Sequence, residues 1–153
     1  MPLFPLFKKK DFFSAEEKKQ IVECIRSAER QTSGEIRVFV ESKNPFVDPI
    51  DRAAEIFFKF KMRDTEHRNA VLLYIATKDK ELALFADQGI YERTGAEYWN
   101  SSVQNMIASF TKENITNGLE QCILQIGQTL KEKFPYEATT DKNELPDEII
   151  FGK

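Results

Sequence analysis

Residues 68–90, RNAVLLYIATKDKELALFADQGI, contain two apolar runs separated by a short polar segment. The first run, Ala70 to Ala76, has no polar interruption, which is typical of a strand that is covered on both faces. The second run, Leu82 to Ala86, follows after five residues, and so short a connection predicts an antiparallel hairpin. This second strand leads directly into Asp87 and Gly89, and the role of a carboxylate and a glycine at that point needs an explanation.

A strand and a helix are predicted immediately before this stretch. The alternating segment EIRVFV, residues 35–40, predicts a strand. Residues 49–62 have apolar side chains at helical spacing, and Asp48 is a suitable N-cap. Because a strand–helix–strand unit forms a parallel pair joined by a right-handed crossover, we expect residues 35–40 to run parallel to Ala70–Ala76.

Further helices are predicted on both sides of this unit. Ser14 and Glu17 form a capping-box pattern that begins a helix at about residues 15–31, and two more apolar stripes start near Trp99 and Ile115. The order α-β-α-β-β-α-α predicts an α/β fold, a three-layer α/β/α sandwich whose small mixed β-sheet of three to four strands is covered by helices on both faces. The predicted divisions are an N-terminal arm (1–13), the α/β/α domain (14–135) and an acidic C-terminal tail (136–153).

The composition excludes several classes of protein. With 31% charged residues and a net charge of −3, the chain lacks the basic surface expected for binding nucleic acid. No apolar run approaches the ~18 residues of a transmembrane segment, and Lys8–Lys10 follow the apolar start instead of preceding it as in a signal peptide. We therefore expect a cytoplasmic protein.

Cys24 and Cys122 lie among apolar helical positions and are expected to be small buried side chains without a disulfide.

The predicted topology gathers polar residues at one edge of the sheet. If the first two strands are parallel and a hairpin returns the third, two strand starts meet one strand end. Carboxylate, amide and backbone oxygens suit a hard cation such as Ca²⁺ or Mg²⁺, and Gly89 can adopt φ > 0 and turn backbone oxygens towards it. An Asp-x-Gly turn is the simpler explanation of Asp87. The predicted metal ligands are Asp87, Glu35, Asp64 and Glu66, with Asn69, Arg68, Asp141, Glu144 and Asp147 as accessory residues.

The opposite edge is the alternative site, because ligands of open α/β sheets usually bind beyond the carboxyl ends of parallel strands. Asp48, Asp51 and Asp79 are available there. Arg52 lies close to a helix start, where the helix dipole disfavours a cation. We expect it to pair with Asp48 or Glu55, or to help hold an anion.

Motifs of the common catalytic classes are absent from the sequence. His67 is the only histidine, which excludes a multi-histidine zinc site. No GxSxG, GxGxxG or phosphate-binding loop occurs. No catalytic residue is therefore assigned, and whether the domain is an enzyme stays open.

Seven short motifs, taken together, resemble the TPM domain family. In order, they are SGEIRVFVE, RNAVLLYIA, ADQGI, YW, NGL, FP and DKNELPDEI, and the resemblance runs from about Ser14 to Ile149. The family has an α/β/α sandwich fold, and metal binding and acid phosphatase activity have been attached to some members. Its better-known members are plant thylakoid proteins of photosystem repair and an accessory membrane protein of acetylcholine receptors. The family usually has glycine where this chain has Ala86, so the backbone is expected to be less free here.

Three functions are expected from the residues and the resemblance, of which the third is a structural partner for a membrane assembly that uses the Phe-rich, lysine-bearing amino end. The first is a divalent-cation-binding interaction domain that acts through a protein partner; the resemblance implies a membrane-associated complex and a role in membrane-protein maintenance. The alternative is a weak metal-assisted acid phosphatase, a phosphomonoesterase in which the ion polarises the phosphoryl oxygen. A phosphatase needs cationic groups around its anion, and the sequence offers only Arg68 and Arg63 near Asp87. The first function is therefore preferred.

Overall fold

The structure, a computed structural model, describes residues 12–45, 48–110, 114–136 and 149–152. In chain order, its elements are α1 (Ala15–Glu29), β1 (Glu35–Glu41), α2 (Pro49–Lys59), β2 (Ala70–Ala76), β3 (Glu81–Ala86), α3 (Gln88–Thr94), α4 (Ala96–Phe110), α5 (Ile115–Lys133) and β4 (Ile150–Phe151). None of the helices in these ranges is both long and apolar enough to span a membrane.

The sheet has the strand order β3-β2-β1-β4. Strands β1 and β2 are parallel over seven residue pairs, from Glu35 with Ala70 to Glu41 with Ala76. Strand β3 lies antiparallel to β2, as the short hairpin connection predicts. The predicted parallel pair, the hairpin and the mixed sheet are therefore confirmed.

Strand β4 is formed by the apolar end of the predicted tail. Ile150 and Phe151 pair in parallel with Phe39 and Val40 of β1, and the Gly152 N–H donates to the Val40 carbonyl at 2.7 Å. These residues therefore cover part of the outer edge of β1. The tail carboxylates Asp141, Glu144 and Asp147 lie outside the described residues.

Both faces of the sheet are covered by helices, which confirms the three-layer sandwich. Helices α1, α4 and α5 contact one face, whose strand residues are Ile36, Val38, Val40, Val71, Leu73, Ile75, Leu82, Leu84 and Ala86. Helix α2 contacts the other face, whose strand residues are Phe39, Ala70, Leu72, Tyr74, Ala76 and Ala83. Because side chains alternate along a strand, this division also fixes the face on which each polar strand residue lies.

The two cysteines are free thiols, and only Cys122 is a fully buried side chain as expected. Cys24 is half-buried in α1, Cys122 is buried in α5, and neither forms a disulfide. Burial raises the pKa of both thiols to about 11. Since the thiolate is the reactive species, this shift disfavours the reactive form of both side chains at neutral pH.

A substitution at the N-cap of α1 measures how much this cap contributes to the free energy of unfolding of the domain. The Glu17 N–H donates to the Ser14 hydroxyl at 3.1 Å, and the Ser14 N–H donates to the Glu17 carboxylate at 2.9 Å. Replacing Ser14 by alanine removes an acceptor for the first turn, so we expect Ser14→Ala to lower the free energy of unfolding by about 1 kcal/mol. Urea denaturation measures the change. Ser27→Ala, at an exposed position within the same helix, is the control, and an equal loss in both variants would contradict the assignment.

Candidate functional site

Three strand ends meet at one edge of the sheet, which we call the amino edge: the starts of β1 and β2 and the end of β3. The Glu35 N–H donates to the Asn69 carbonyl at 3.3 Å, and the Asp87 N–H donates to the Ala70 carbonyl at 2.9 Å. The predicted convergence of Glu35, Asn69 and Asp87 at this edge is therefore confirmed.

Asp87 binds an arginine and begins a helix. Its carboxylate accepts two parallel hydrogen bonds from Arg68, from Nε to Oδ2 and from Nη2 to Oδ1, each at 2.8 Å. It also accepts the backbone N–H of Gln88 at 2.7 Å as the N-cap of α3. The side chain of Asp87 is only 4% exposed, whereas that of Arg68 is 34% exposed. Strand β3 thus leads into a carboxylate because the same side chain forms a forked ion pair and caps the next helix.

Gly89 allows two backbone segments to approach each other. A Cβ atom at this position would lie 2.3 Å from the His67 carbonyl oxygen and 2.6 Å from that of Arg68. The expectation of φ > 0 at Gly89 was wrong, because Gly95 is the only described glycine with positive φ. In the loop before β2, Lys61 and Arg68 are left-handed instead, with φ of 56° and 52°.

Glu35 and Asp87 lie in one row across the sheet. Glu35 pairs in register with Ala70 of β2, and Asp87 bonds to the other side of Ala70. By alternation, Glu35 shares the α2 face with Phe39, and Arg68 borders a cavity next to α2. Both carboxylate side chains are buried, with Glu35 3% exposed. The structure therefore places these two predicted ligands on the same face, at positions on either side of Ala70.

The Asn69 side chain lies apart from Glu35 and Asp87, beside Ser33. It precedes Ala70, so alternation directs its side chain to the opposite face, where its Nδ2 donates to the Ser33 hydroxyl at 3.3 Å. Asn69 is fully buried, and its Oδ1 accepts no hydrogen bond from the described residues. The amide predicted as an accessory ligand therefore does not share the face of the two carboxylates.

Asp64 and Glu66 lie on the exposed loop that leads into β2. Asp64 borders an open cavity of about 690 Å³ beside Phe58, and Lys61, Arg63 and Arg68 also line it. Within the part of the chain that the structure describes, no three His, Cys, Asp or Glu side chains form a group that could hold a metal ion. The charge around this cavity is mainly positive.

The opposite end of β1, the carboxyl edge, holds a second buried carboxylate that the sequence analysis missed. Arg52 donates from Nε and Nη2 to the two oxygens of Glu41 at 2.8 and 2.9 Å, and the Tyr74 hydroxyl lies 2.5 Å from Glu41. Arg52 also pairs with Glu55, as expected, whereas Asp48 accepts the N–H of Ile50 and caps α2. Glu41 ends an apolar strand, and the unusual position of Arg52 near a helix start was the signal that could have revealed the pair.

Both arginines are strongly held by these carboxylates. The hydrogen bonds that Arg52 donates to Glu41 raise the pKa of Arg52, and those that Arg68 donates to Asp87 raise the pKa of Arg68. Burial, followed by the Glu41 carboxylate, raises the pKa of Tyr74. All three side chains therefore keep their protons at any physiological pH.

The close approach at Gly89 gives a direct test of the geometry at the amino edge. We expect Gly89→Ala to lower the free energy of unfolding by about 2 kcal/mol, because its Cβ would overlap two backbone oxygens that cannot move independently of the sheet. Gly34→Ala is the control, since its Cβ would meet only the Leu130 side-chain carbons at 2.9 and 3.0 Å. Urea denaturation compares the two variants, and an equal or smaller loss at Gly89 would contradict the predicted overlap.

Comparisons with solved structures agree with this architecture. The chain is 37% identical to the BA42 protein from the psychrophilic bacterium Bizionia argentinensis, with a TM-score of 0.84 over 95% of this chain and 99% of that chain. The N-terminal domain of a protein from P. gingivalis is 15% identical with a TM-score of 0.64, over 82% of each chain. The N-terminal domain of cg2496 from Corynebacterium glutamicum is 13% identical with a TM-score of 0.60, over 78% of this chain and 74% of that chain. The last two similarities show the fold alone.

No curated protein sequence matches the chain. The family model of the TPM domain matches residues 6–129, which is most of the chain and contains the amino edge, the helix α2 and the hairpin. The chain therefore belongs to the TPM domain family.

Proposed function

We propose that this domain is a binding module in which a divalent cation, Ca²⁺ or Mg²⁺, bridges Glu35 and Asp87. The observation that supports the proposal is the row of two buried carboxylates on one sheet face, with only Ala70 between them. Residues two strands apart have Cα atoms about 10 Å apart. Glutamate and aspartate side chains that lean towards each other can close this span around one ion with Ca–O distances of about 2.4 Å.

Arg68 holds the place of the cation in the metal-free domain. Its guanidinium supplies a positive charge to Asp87, yet its side chain is one-third exposed while that of Asp87 is almost fully buried. Arg68 can therefore move into water, whereas the carboxylate cannot. A bound ion would replace Arg68 at Asp87.

Two protein carboxylates leave several coordination positions of the ion unfilled. Calcium takes six to eight oxygen ligands, and magnesium keeps several waters. Because no third carboxylate adjoins the row among the described residues, water and backbone oxygens fill these positions. Further candidate ligands are the carboxylates of Asp64, Glu66 and the tail residues Asp141, Glu144 and Asp147.

When the ion displaces Arg68 from Asp87, the freed Arg68 side chain becomes available to bind a protein partner. Arg68 shares its cavity with Arg63 and with Phe58, which is 52% exposed and lies under the Arg63 guanidinium at 5.8 Å. A cation and an exposed aromatic ring are typical contact groups of protein interfaces. We propose that the ion-bound form presents a freed Arg68 to a protein partner, in a membrane-associated complex and from the cytoplasmic side.

Titration with CaCl₂ or MgCl₂, followed by backbone amide chemical shifts, tests the ion site. We expect shifts centred on Glu35, Ala70 and Asp87. Asp87→Asn keeps an N-cap but removes a charged ligand, so it should weaken binding by at least about tenfold. Arg68→Gln should strengthen binding, because it removes the group that competes with the ion.

Asp51→Asn is the matched control, because Asp51 is an exposed carboxylate in the first turn of α2, near the carboxyl edge. It should leave the affinity unchanged. Shifts confined to residues 42–51 would place the ion at the other edge of the sheet. Unchanged affinity in Arg68→Gln, with native amide spectra, would show that arginine and ion do not exchange.

The second candidate function, a metal-assisted phosphomonoesterase, is favoured by one observation. Three cationic side chains, Lys61, Arg63 and Arg68, line the cavity next to Asp87, more than the sequence suggested. These groups could bind the phosphate oxygens while the ion activates water.

Hydrolysis of an aryl phosphate, assayed with and without Mg²⁺ at acidic pH, tests the second candidate. We expect metal-dependent turnover that Arg63→Met reduces by at least about tenfold, because a cation at the transferred phosphoryl group is lost. Lys131→Met, at an exposed position in α5, is the control for a general loss of charge. Equal activity in the wild type, Arg63→Met and Asp87→Asn would reject this activity.

A further inference from the structure

An apolar stripe runs along the outer side of α2, and we call it the α2 stripe. Its residues Ile50, Ala54 and Phe58 are spaced four positions apart, which places them in one line over about 12 Å of helix. Ile50 is 42% exposed and Phe58 is 52% exposed, whereas Ala54 between them is half-buried. The half-buried ring of Phe85 on β3 widens the stripe, because it lies 5.8 Å from the Phe58 ring. Contiguous apolar side chains that stay exposed in this way indicate an interaction surface.

Charged side chains lie beside the α2 stripe and form what we call the α2 charge row. Its residues Asp51, Glu55 and Lys59 are each one position further along the helix, have the same spacing and are exposed. Glu55 is paired with Arg52, whereas Asp51 and Lys59 have no ion-pair partner among the described residues. The free charge of the row is therefore negative at the start of α2 and positive at its end.

The surroundings of the stripe have the same polarity. Arg63 lies over the Phe58 ring at 5.8 Å, and Lys61 and Arg63 line the cavity beside this ring. At the other end of the stripe, the exposed Asp48 directly precedes α2. The surface is thus acidic around Ile50 and mainly basic around Phe58, so one of its ends is complementary in charge to the other.

A second copy of the domain, related by a two-fold axis, is complementary to this surface. When two α2 helices pack antiparallel with Ala54 at the axis, Ile50 of each copy lies opposite Phe58 of the other. Ala54 then meets its equivalent in the second copy, and so small a side chain lets the two helix axes approach to about 8 Å. The α2 stripe of each copy is buried by that of the other, which is the self-complementarity that a two-fold interface requires.

The same arrangement pairs the free charges. Asp51 of each copy lies opposite Lys59 of the other, so two ion pairs form across the interface. Glu55 lies near its equivalent, but Arg52 already neutralises it. If the helices were parallel, each Asp51 would face the other Asp51 and each Lys59 the other Lys59, and this repulsion would disfavour association. The α2 charge row therefore selects the antiparallel arrangement.

We infer that the chain forms a reversible two-fold dimer through the α2 stripe and the α2 charge row. One pair of short helices buries less surface than a standard protein interface, so we expect a weak dimer with a dissociation constant of about 100 μM. The contact needs no ion, because none of its residues is a ligand of the proposed ion site. Self-association and ion binding can therefore be tested separately.

Sedimentation equilibrium and amide chemical shifts, both measured over a range of protein concentrations, test the dimer. We expect the sedimenting mass to rise towards twice the mass of the chain as the concentration increases. The amide shifts should centre on Ile50, Asp51, Ala54, Phe58 and Lys59. Phe58→Ala should weaken association by at least about tenfold, because it removes the largest apolar contact of each copy. Leu124→Ala is the control, since this α5 side chain is similarly exposed, at 56%, and lies outside the stripe.

Charge reversal tests the orientation of the two helices, because each reversal acts at two equivalent contacts. Asp51→Lys and Lys59→Asp should each weaken self-association by at least about tenfold. Glu97→Lys, at an exposed acidic position in the first turn of α4, should leave it unchanged. An equimolar mixture of Asp51→Lys and Lys59→Asp should associate about as tightly as the wild type, since opposite charges then face each other at both contacts.

Three results would overturn the dimer. The first is a monomer at every concentration up to about 1 mM, ten times the expected dissociation constant. The second is a set of concentration-dependent shifts that lies outside α2 and β3. The third is a mixture of the two charge variants that associates no better than either variant alone, with native amide spectra for both.

Discussion

The parallel, in-register pairing of β1 with β2 is the constraint from which both edges of this domain follow. It requires a crossover, and α2 supplies it on one face of the sheet. The crossover returns the chain to the start of β2 beside the start of β1, and the hairpin then brings the end of β3 to the same place. At the other edge of the sheet, the end of β1 lies beside β4.

Each edge carries a buried carboxylate held by an arginine fork. Asp87 is bound by Arg68 and Glu41 by Arg52, and both arginines come from the segment that connects β1 to β2. Burying a carboxylate is costly unless its partner is well oriented, so each fork fixes one end of the crossover on the sheet. The two forks differ in exposure, because Arg68 is 34% exposed and Arg52 only 19%. The fork at the amino edge is therefore the more accessible of the two to solvent.

The elements and their topology could be predicted because their signals are local. Neighbouring residues alone indicate the strand at 70–76, the hairpin to β3 and the helix cap at Ser14. The rule that a strand–helix–strand crossover joins parallel strands then predicts the pairing of β1 with β2. Side-chain partners were harder to predict, because an arginine can reach in several directions. The backbone of Arg68 is left-handed, and its residue type does not signal this conformation. Gly89 was recognised as special, but the reason is the space beside two carbonyl oxygens, which only the packed structure reveals.

The short β4 has a consequence for the order of synthesis. Residues 150 and 151 are the described residues that pair with the outer side of β1, and they are translated after all the other strands. Until they emerge from the ribosome, β1 is an outermost strand with an apolar sequence, and strands of that kind associate readily with other chains. The nascent domain is therefore most prone to aggregation late in translation, when its core is already assembled.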